Sequence, residues 1–442
     1  MSTFGGDEVA AIVLDVGSCW TRAGYAGEDS PKTVFPTHYG YMPENRVMNK
    51  SKLGASDLGG GEGSQQEENW SQKTAEQYVI GDSEISVWRE YMEIKNPLKD
   101  GLIQDWDALE HIWDYALSNR LRVNPAEHPL LVTEAAWSTR EIRETLTELA
   151  FEKYDCLAFY IVKNPVLTAF ASGRPTAIVL DSGAANTSVV PVFDGYVLKK
   201  GMQRSPIAGD FLSEQILRQF EQQKITLNPQ YLVANKSFTD PDAPAIFAKR
   251  DRPNTTASFH KFQAMKVVHE YKETVCQVFE STYNEAIIAS RPMKSFEFPD
   301  GFNTSFGPER YRVPEILFRP EFAIQPQETG IDVGSVVGIP NMIYNCLFTC
   351  DVDMRANFLS NLVCTGGSTL FPNFTDRVFQ ELNPMFPGHR VKIHAPVNSV
   401  ERKCSAWLGG SILASLGTFH QLWISRKEYD DHGKGIVEKK CE

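Results

Sequence analysis

Ala11-Ile12-Val13-Leu14-Asp15 and Ala177-Ile178-Val179-Leu180-Asp181 are the same five residues met twice in one chain. Each copy runs into a small polar turn, Val16-Gly17-Ser18 after the first and Ser182-Gly183-Ala184 after the second. A short unbroken apolar run closed by a turn reads as a strand buried on both faces. In both copies the strand ends on a carboxylate, with a glycine two residues on. A chain that builds this unit twice can set one copy against the other across a cleft, so that two carboxylates and two glycine turns meet.

The 442 residues suffice for two or more domains with their own cores, and 42% hydrophobic and 23% charged content is ordinary for a globular chain. The formal net charge of -12 argues against nucleic acid as the main direct partner. It leaves Lys249-Arg250-Asp251-Arg252 and Lys439-Lys440 as a solvated loop and a tail. None of the eight cysteines forms a C-x-x-C pair; Cys346 and Cys350, four apart, read as core thiols on one helix face. The first nine residues lack the basic and apolar regions of a secretory signal, and no apolar run has transmembrane length. The expected compartment is reducing, cytosolic or nuclear, without a membrane partner.

Along the chain, Trp20–Tyr25 pairs back on the first run as a hairpin with its tip at Val16–Cys19, and Ile178–Val192 forms the second. Helices are predicted over Asp107–Leu121, Ile142–Tyr154 (N-capped at Ser138-Thr139), Lys163–Ser172 (Pro165 in its first turn), Asp210–Gln222, Lys266–Thr282 and Gly409–Thr418. Leu130–Val132 and Asn361–Cys364 read as strands, the latter followed by a third glycine turn, Thr365-Gly366-Gly367-Ser368. Tyr41–Gln77, with Gly59-Gly60-Gly61 and Gln65-Gln66-Glu67-Glu68, reads as a polar mobile loop. Lys224–Phe262, rich in Pro, Asn, Asp and Thr, reads as an irregular insertion. The alternation of strands and helices predicts an α/β fold with mixed sheets in two related halves.

Phosphate is bound by backbone N–H donors in concave turns with a cation nearby. Two opposed hairpin tips supply such donors from both sides, with glycine admitting the turn conformation. Asp15 and Asp181 would hold Mg²⁺ through its waters, and Arg22 would reach back from the second strand of the first hairpin to a phosphate oxygen. No G-x-x-x-x-G-K-[ST] and no helix-opening G-x-G-x-x-G is present, so neither a P-loop nor a dinucleotide fold is supported.

The chain resembles the actin family in order and over nearly its whole length. The resemblance is carried by Ala23-Gly24-Tyr25-Ala26-Gly27-Glu28-Asp29, Asp105-Trp106-Asp107, Ala171-Ser172-Gly173-Arg174, Cys350-Asp351-Val352-Asp353 and Trp407-Leu408-Gly409-Gly410-Ser411. The opening Gly5-Gly6-Asp7-Glu8-Val9 and the segment Ser411–Gln421 look most like the nuclear class of actin-related proteins. The resemblance implies an actin-like ATPase-domain fold: two lobes, four subdomains and a duplicated sheet-and-helix core around a nucleotide cleft. Residues 1–36, 97–171 and 405–442 would form the first subdomain and 37–96 the second. Residues 172–207 and 329–404 would form the third, and 208–328 the fourth.

It further implies ATP with Mg²⁺ or Ca²⁺ in the cleft. By position Asp15, Gly17, Ser18, Cys19, Trp20 and Arg22 match the first phosphate hairpin, and Asp181, Gly183, Ala184, Ala185 and Asn186 the second. Gly209, Lys272 and Glu273 match residues around ribose and adenine. Gly366, Gly367, Ser368, Leu370, Phe371 and Lys403 match the segments enclosing the base. Departures fall where hydrolysis would be guided. Asn164 replaces a glutamine, Ser188 a histidine, and Ala184 and Ala185 an aspartate and a glycine; Cys19 stands for a glycine. The expectation is retained ATP, weakened cation coordination and little or no hydrolysis. An active ATPase or a sugar kinase is the alternative, but no aspartate base facing a substrate cavity is marked. A filament-forming relative is opposed by the Tyr41–Gln77 composition.

Phe170, Gly173, Pro175, Leu413, Leu416, Thr418 and Leu422 match the family's groove for apolar helices. The nuclear resemblance implies pairing with monomeric actin on a helicase/SANT-associated helix of a remodelling ATPase or acetyltransferase scaffold, with histones or nucleosomal DNA near at hand.

Overall fold

The computed structural model describes residues 10–42, 77–324 and 331–441. Most of the Tyr41–Gln77 loop and the Gly5–Val9 opening lie outside the described residues.

Both AIVLD copies are central strands, and each has the same neighbours. In the first sheet, β1 (Ile12–Val16) pairs antiparallel with β2 (Trp20–Tyr25) and parallel with β3 (Pro129–Glu134), and β4 (Ala158–Lys163) extends the sheet beyond β3. In the second, β5 (Ala177–Ser182) pairs antiparallel with β6 (Thr187–Phe193) and parallel with β7 (Leu362–Thr365). The equivalence extends to register: Ile12 lies beside Leu130, and Ile178 beside Leu362. Each sheet is the centre of one lobe.

Both central strands are buried on both faces, which explains why their apolar runs do not alternate. Ile12 and Leu14 pack into a cluster with Trp113, Phe151 and Phe159, while Val13 faces Leu131 and Trp407. Ile178 and Leu180 pack into the second lobe's core with Phe211, Phe220 and Phe358. Cys346 and Cys350 are buried in that same core.

Among the helices that frame the site are α1 (Trp106–Asp114), continued by a π-helical stretch to Leu121, and α2 (Asn164–Ala171). They are followed by α3 (Gly209–Gln222), α4 (Ala257–Thr274), α5 (Ile339–Thr349) and α6 (Ser405–Ser415). The chain crosses from the first sheet to the second through α2 and returns through α6. These two helices approach so closely that a Cβ on Gly409 would stand 1.9 Å from the carbonyl oxygen of Leu167. Pro165 sits in the first turn of α2, where its missing N–H is harmless.

Three sequence expectations shift. α4 begins at Ala257, capped by the Thr256 hydroxyl on the N–H of Phe259, and ends at Thr274, so it starts earlier and stops sooner than Lys266–Thr282. The Lys224–Phe262 insertion is not irregular throughout. It holds a two-stranded hairpin, Val233–Lys236 with Phe247–Lys249, and the first turns of α4. The last shift is at α6, which ends at Ser415, and a 3-10 turn, Gly417–Gln421, takes over. Among the described residues no helix is long and apolar enough to cross a membrane.

Candidate functional site: the interlobe cavity

The tips of both hairpins border one cavity of about 920 Å³ between the lobes. Asn164, Pro165 and Thr168 of α2 and Ser405 and Ala406 of α6 line it as well. So do all the residues matched above to phosphate, sugar and base, from Asp15 through Lys403, together with Asn164 and Ser188.

The two carboxylates differ. Asp15 is buried and saturated: Arg22 Nη1 donates to its Oδ2 at 2.8 Å and the Thr133 hydroxyl to its Oδ1 at 2.6 Å. Arg22 thus holds Asp15 through one of its donors, and the phosphate contact expected from the sequence would fall to those that remain. The reason lies in the register, which sets Asp15 directly opposite Arg22 on the paired strands. At the equivalent place in the second hairpin Asp181 is opposite Ser188. No hydrogen bond or ion pair reaches Asp181 among the described residues. Burial, and then the charge of Asp15, push its carboxyl up to about 6 against the pull of Arg22. A cation arriving beside such a carboxylate restores its charge. No group of three or more His, Cys, Asp and Glu side chains converges among the described residues. A divalent ion here would complete its shell from waters and phosphate oxygens, in keeping with magnesium's reluctance to dehydrate.

The turns are built to donate. The N–H groups of Gly17 and Gly183 close their own turns, on Trp20 O at 3.1 Å and Asn186 O at 3.0 Å. Those of Ser18, Cys19, Ala184 and Ala185 have no acceptor among the described residues. Asn164 Oδ1 and Arg22 Nε, at the same cavity, are among the buried polar atoms without a hydrogen-bond partner. Convergent free donors over a cleft with an unneutralised carboxylate fit a polyphosphate carrying a cation. The glycines act mainly through room. Gly366, in the third glycine turn, needs a positive φ, +93°, and a Cβ there would lie 2.5 Å from Asp181 Oδ1. At Gly183 and Gly367 a side chain would meet little protein and would fill the cavity instead.

On the opposite side Lys272 Nζ donates to Gly209 O at 2.7 Å and to the Ser213 hydroxyl at 2.8 Å, and burial lowers its pKa. Lys403 and Glu273 pair at 3.7 Å. Burial raises the Cys19 thiol to about 12, so it is an inert lining group. Sequence reasoning missed Asp210, Trp137 and His269, which also line the cavity. Trp137 donates to Asp100 O at 3.0 Å and carries the Arg204 guanidinium 5.1 Å over its ring. This contact crosses between the lobes.

A second crossing borders the cavity mouth, where Asp82 and Lys266 line the rim. Ile85, Met92 and Ile94 from the first lobe pack with Tyr231, Leu232 and Phe259 from the second, with Trp88 beside them. Polar bonds surround this cluster: Trp88 Nε1 to the Thr255 hydroxyl at 2.8 Å, Ile94 N–H to the Ser258 hydroxyl at 3.1 Å, and Tyr91 N–H to Asn254 O at 3.0 Å. Tyr231 and Leu232 come from the 224–262 insertion, which thus joins the lobes.

The groove residues lie at the C-terminal ends of α2 and α6 and just beyond. Leu413 is half-buried, packed against the core shared by Val13 and Trp407. Leu416 and Leu422 are exposed at 38% and 47%, as are Gly173, Pro175 and Thr418, with Phe170 half-buried.

A duplicated strand–turn–strand unit, two lobes and one cavity between them define the actin-like class of α/β folds. The family model described as Actin matches residues 6–442, and the chain belongs to the actin family. It is similar to actin-related protein 4 of rice (Oryza sativa subsp. indica), 39% identical over 99% of this chain and 100% of that protein. The Arabidopsis thaliana protein of the same name is 37% identical over 99% and 100%. The SWI/SNF and RSC complexes subunit arp42 of Schizosaccharomyces pombe is 36% identical over 98% and 100%.

Proposed function

We propose that this chain is an ATP-binding, non-polymerising structural subunit of nuclear chromatin-remodelling and histone-acetyltransferase complexes. ATP with a divalent cation occupies the interlobe cavity as a ligand that locks the lobes, and its turnover is negligible. The observation that carries the nucleotide reading is the meeting of free turn donors from both lobes around Asp181 in the interlobe cavity. Slow hydrolysis is supported by Ser188, a small hydroxyl on β6 where an imidazole would orient water, and by Asn164, whose shorter side chain keeps a free acceptor. Membership in a remodelling complex is supported by the fission yeast relative, a subunit of the SWI/SNF and RSC complexes. The groove around Leu416 and Leu422 receives an apolar helix or monomeric actin.

A linked ligand at a thousandfold excess over its dissociation constant stabilises the closed fold by about 4 kcal/mol. Single-turnover assay with radiolabelled ATP tests the reading: nucleotide is retained with little phosphate released, and release at or above the rate of filamentous actin overturns it. Affinity purification from nuclei tests the assignment to complexes, with actin and a remodelling ATPase expected to co-elute.

A further inference from the structure

The cavity has two kinds of wall, and Asp210 stands where they meet. On one side is the Gly183 turn with the free N–H groups of Ala184 and Ala185. On the other are Ser368, Lys272 and Glu273. The backbone N–H of Asp210 donates to Ala184 O at 2.8 Å, and a Cβ on the preceding Gly209 would lie 3.0 Å from the Ser368 hydroxyl. The Asp210 side chain is exposed to the cavity and makes no hydrogen bond or ion pair among the described residues. Lys272, the cation nearest in effect, directs its ammonium group to Gly209 O and Ser213.

A carboxylate in this place repels phosphate and accepts from neutral donors. The part of a nucleotide that lies between phosphate-binding turns and a base-enclosing wall is the sugar, whose vicinal hydroxyls are a matched pair of donors. The Ala184-Ala185 tip of the second hairpin carries no carboxylate, and Asp210, bonded to the Ala184 backbone, supplies one from the adjacent helix. We propose that Asp210 is the sugar-reading residue of this site: its carboxylate accepts from the ribose 2′- and 3′-hydroxyls and makes the cavity selective for ribonucleotides over deoxyribonucleotides. The assignment rests on the nucleotide reading of the cavity. Though open to the cavity, the Asp210 carboxyl is enclosed by the cavity walls, whose desolvation holds it above its usual range with Lys272 opposing, a penalty that two hydroxyl donors relieve.

The test is competition binding of ATP, 2′-deoxy-ATP and 3′-deoxy-ATP, each with Mg²⁺, to the full chain. The native protein is expected to prefer ATP over each deoxy analogue by roughly tenfold to a hundredfold, the worth of a hydrogen bond to a charged acceptor. Asp210→Ala brings the ratio to near unity, and Asp210→Asn, keeping one acceptor, retains part of it. Thermal unfolding of the nucleotide-free variants verifies that they fold. If the native protein binds no ATP, the nucleotide reading falls and this assignment with it. If ATP binds without preference, or with a preference that Asp210→Ala leaves intact, the sugar assignment alone is overturned. It is overturned too if Asp210→Ala changes only the Mg²⁺ requirement.

Discussion

Replacing Trp88 with alanine removes a contact that spans the cavity mouth. Its indole donates to Thr255 at 2.8 Å and carries the Arg252 guanidinium 4.7 Å above the ring. The hydrogen bond is worth about 1 kcal/mol, and the cation–π contact at a half-exposed site about 0.5–1. The ring area covered by the neighbouring lobe adds about 1–2 kcal/mol. The closed arrangement then loses about 3 kcal/mol, which raises the open population roughly a hundredfold. Because Trp88 is half-exposed, the fold of either lobe is little affected.

If nucleotide leaves through the mouth, its dissociation rate rises by the same factor. Protein loaded with a fluorescent ATP analogue and chased with excess ATP in a stopped-flow instrument reports that rate directly. Lys236→Ala serves as the comparison. Its 2.6 Å pair with Glu297 is largely solvated and lies away from the cavity lining, so its removal costs under about 1 kcal/mol and speeds release by less than about fivefold. A folded Trp88→Ala protein releasing nucleotide within about threefold of the native rate would refute the reasoning, because the mouth contacts would then not gate exit.

Gly409→Ala drives a methyl into the carbonyl of Leu167 where α2 and α6 cross; a loss of about 1–3 kcal/mol is expected in chemical denaturation. Leu416→Asp, at an exposed position, leaves stability within about 0.5 kcal/mol and abolishes co-purification with the helical segment; unchanged pull-down would move the interface elsewhere. Ser188→His combined with Asn164→Gln raises single-turnover phosphate release by roughly tenfold to a hundredfold, or the account of the slow step is wrong. Burial pushes His38 down to about 4, and burial with Lys272 and His38 pushes His269 down to about 3. Both folded values lie below the unfolded one, so below about pH 6.5 the unfolded chain takes up protons that the native protein refuses, and stability present at neutrality is lost on acidification. Each histidine accounts for about 2 kcal/mol at pH 5, so a His38→Gln/His269→Gln double variant should gain on the native protein between pH 7 and 5, followed by urea midpoints.

Much of this architecture is legible because it is local. The AIVLD strands, their hairpin partners and the glycine turns are fixed by short apolar runs and punctuation, and the Pro165 start of α2 follows from proline's missing donor. The limits of α4 and α6 were not, because tertiary contacts decide them. Phe259 is fully buried against the first lobe's Met92, so α4 starts early enough to deliver it. The order in the 224–262 insertion escaped notice for the same reason: Tyr231 and Leu232 find their apolar partners only across the cleft. Asp210 was read as a helix start, which it is; that the first turn of α3 also faces the cavity depends on how α3 docks beside the Gly183 turn.

The deepest asymmetry of the site was nevertheless in the sequence, in a spacing. Seven residues separate Asp15 from Arg22 and seven separate Asp181 from Ser188, because the two hairpins share one register. The first jaw thus carries its own counter-charge and is electrostatically complete. The second carries an aspartate facing a hydroxyl, and its carboxyl stays raised until a cation comes. Folding two such units together makes a cleft whose unneutralised charge sits on one side only. On the proposed function a cation would couple the lobes through Asp181, while Asp15, held by Arg22 and Thr133, fixes the opposing strand end. An arrangement of this kind favours a cation-bound polyphosphate over an empty cleft. On the proposed function, Ser188, which leaves Asp181 uncompensated, also lacks the imidazole that would orient water, so tighter dependence on the bound ion and slower hydrolysis are expected from the same position.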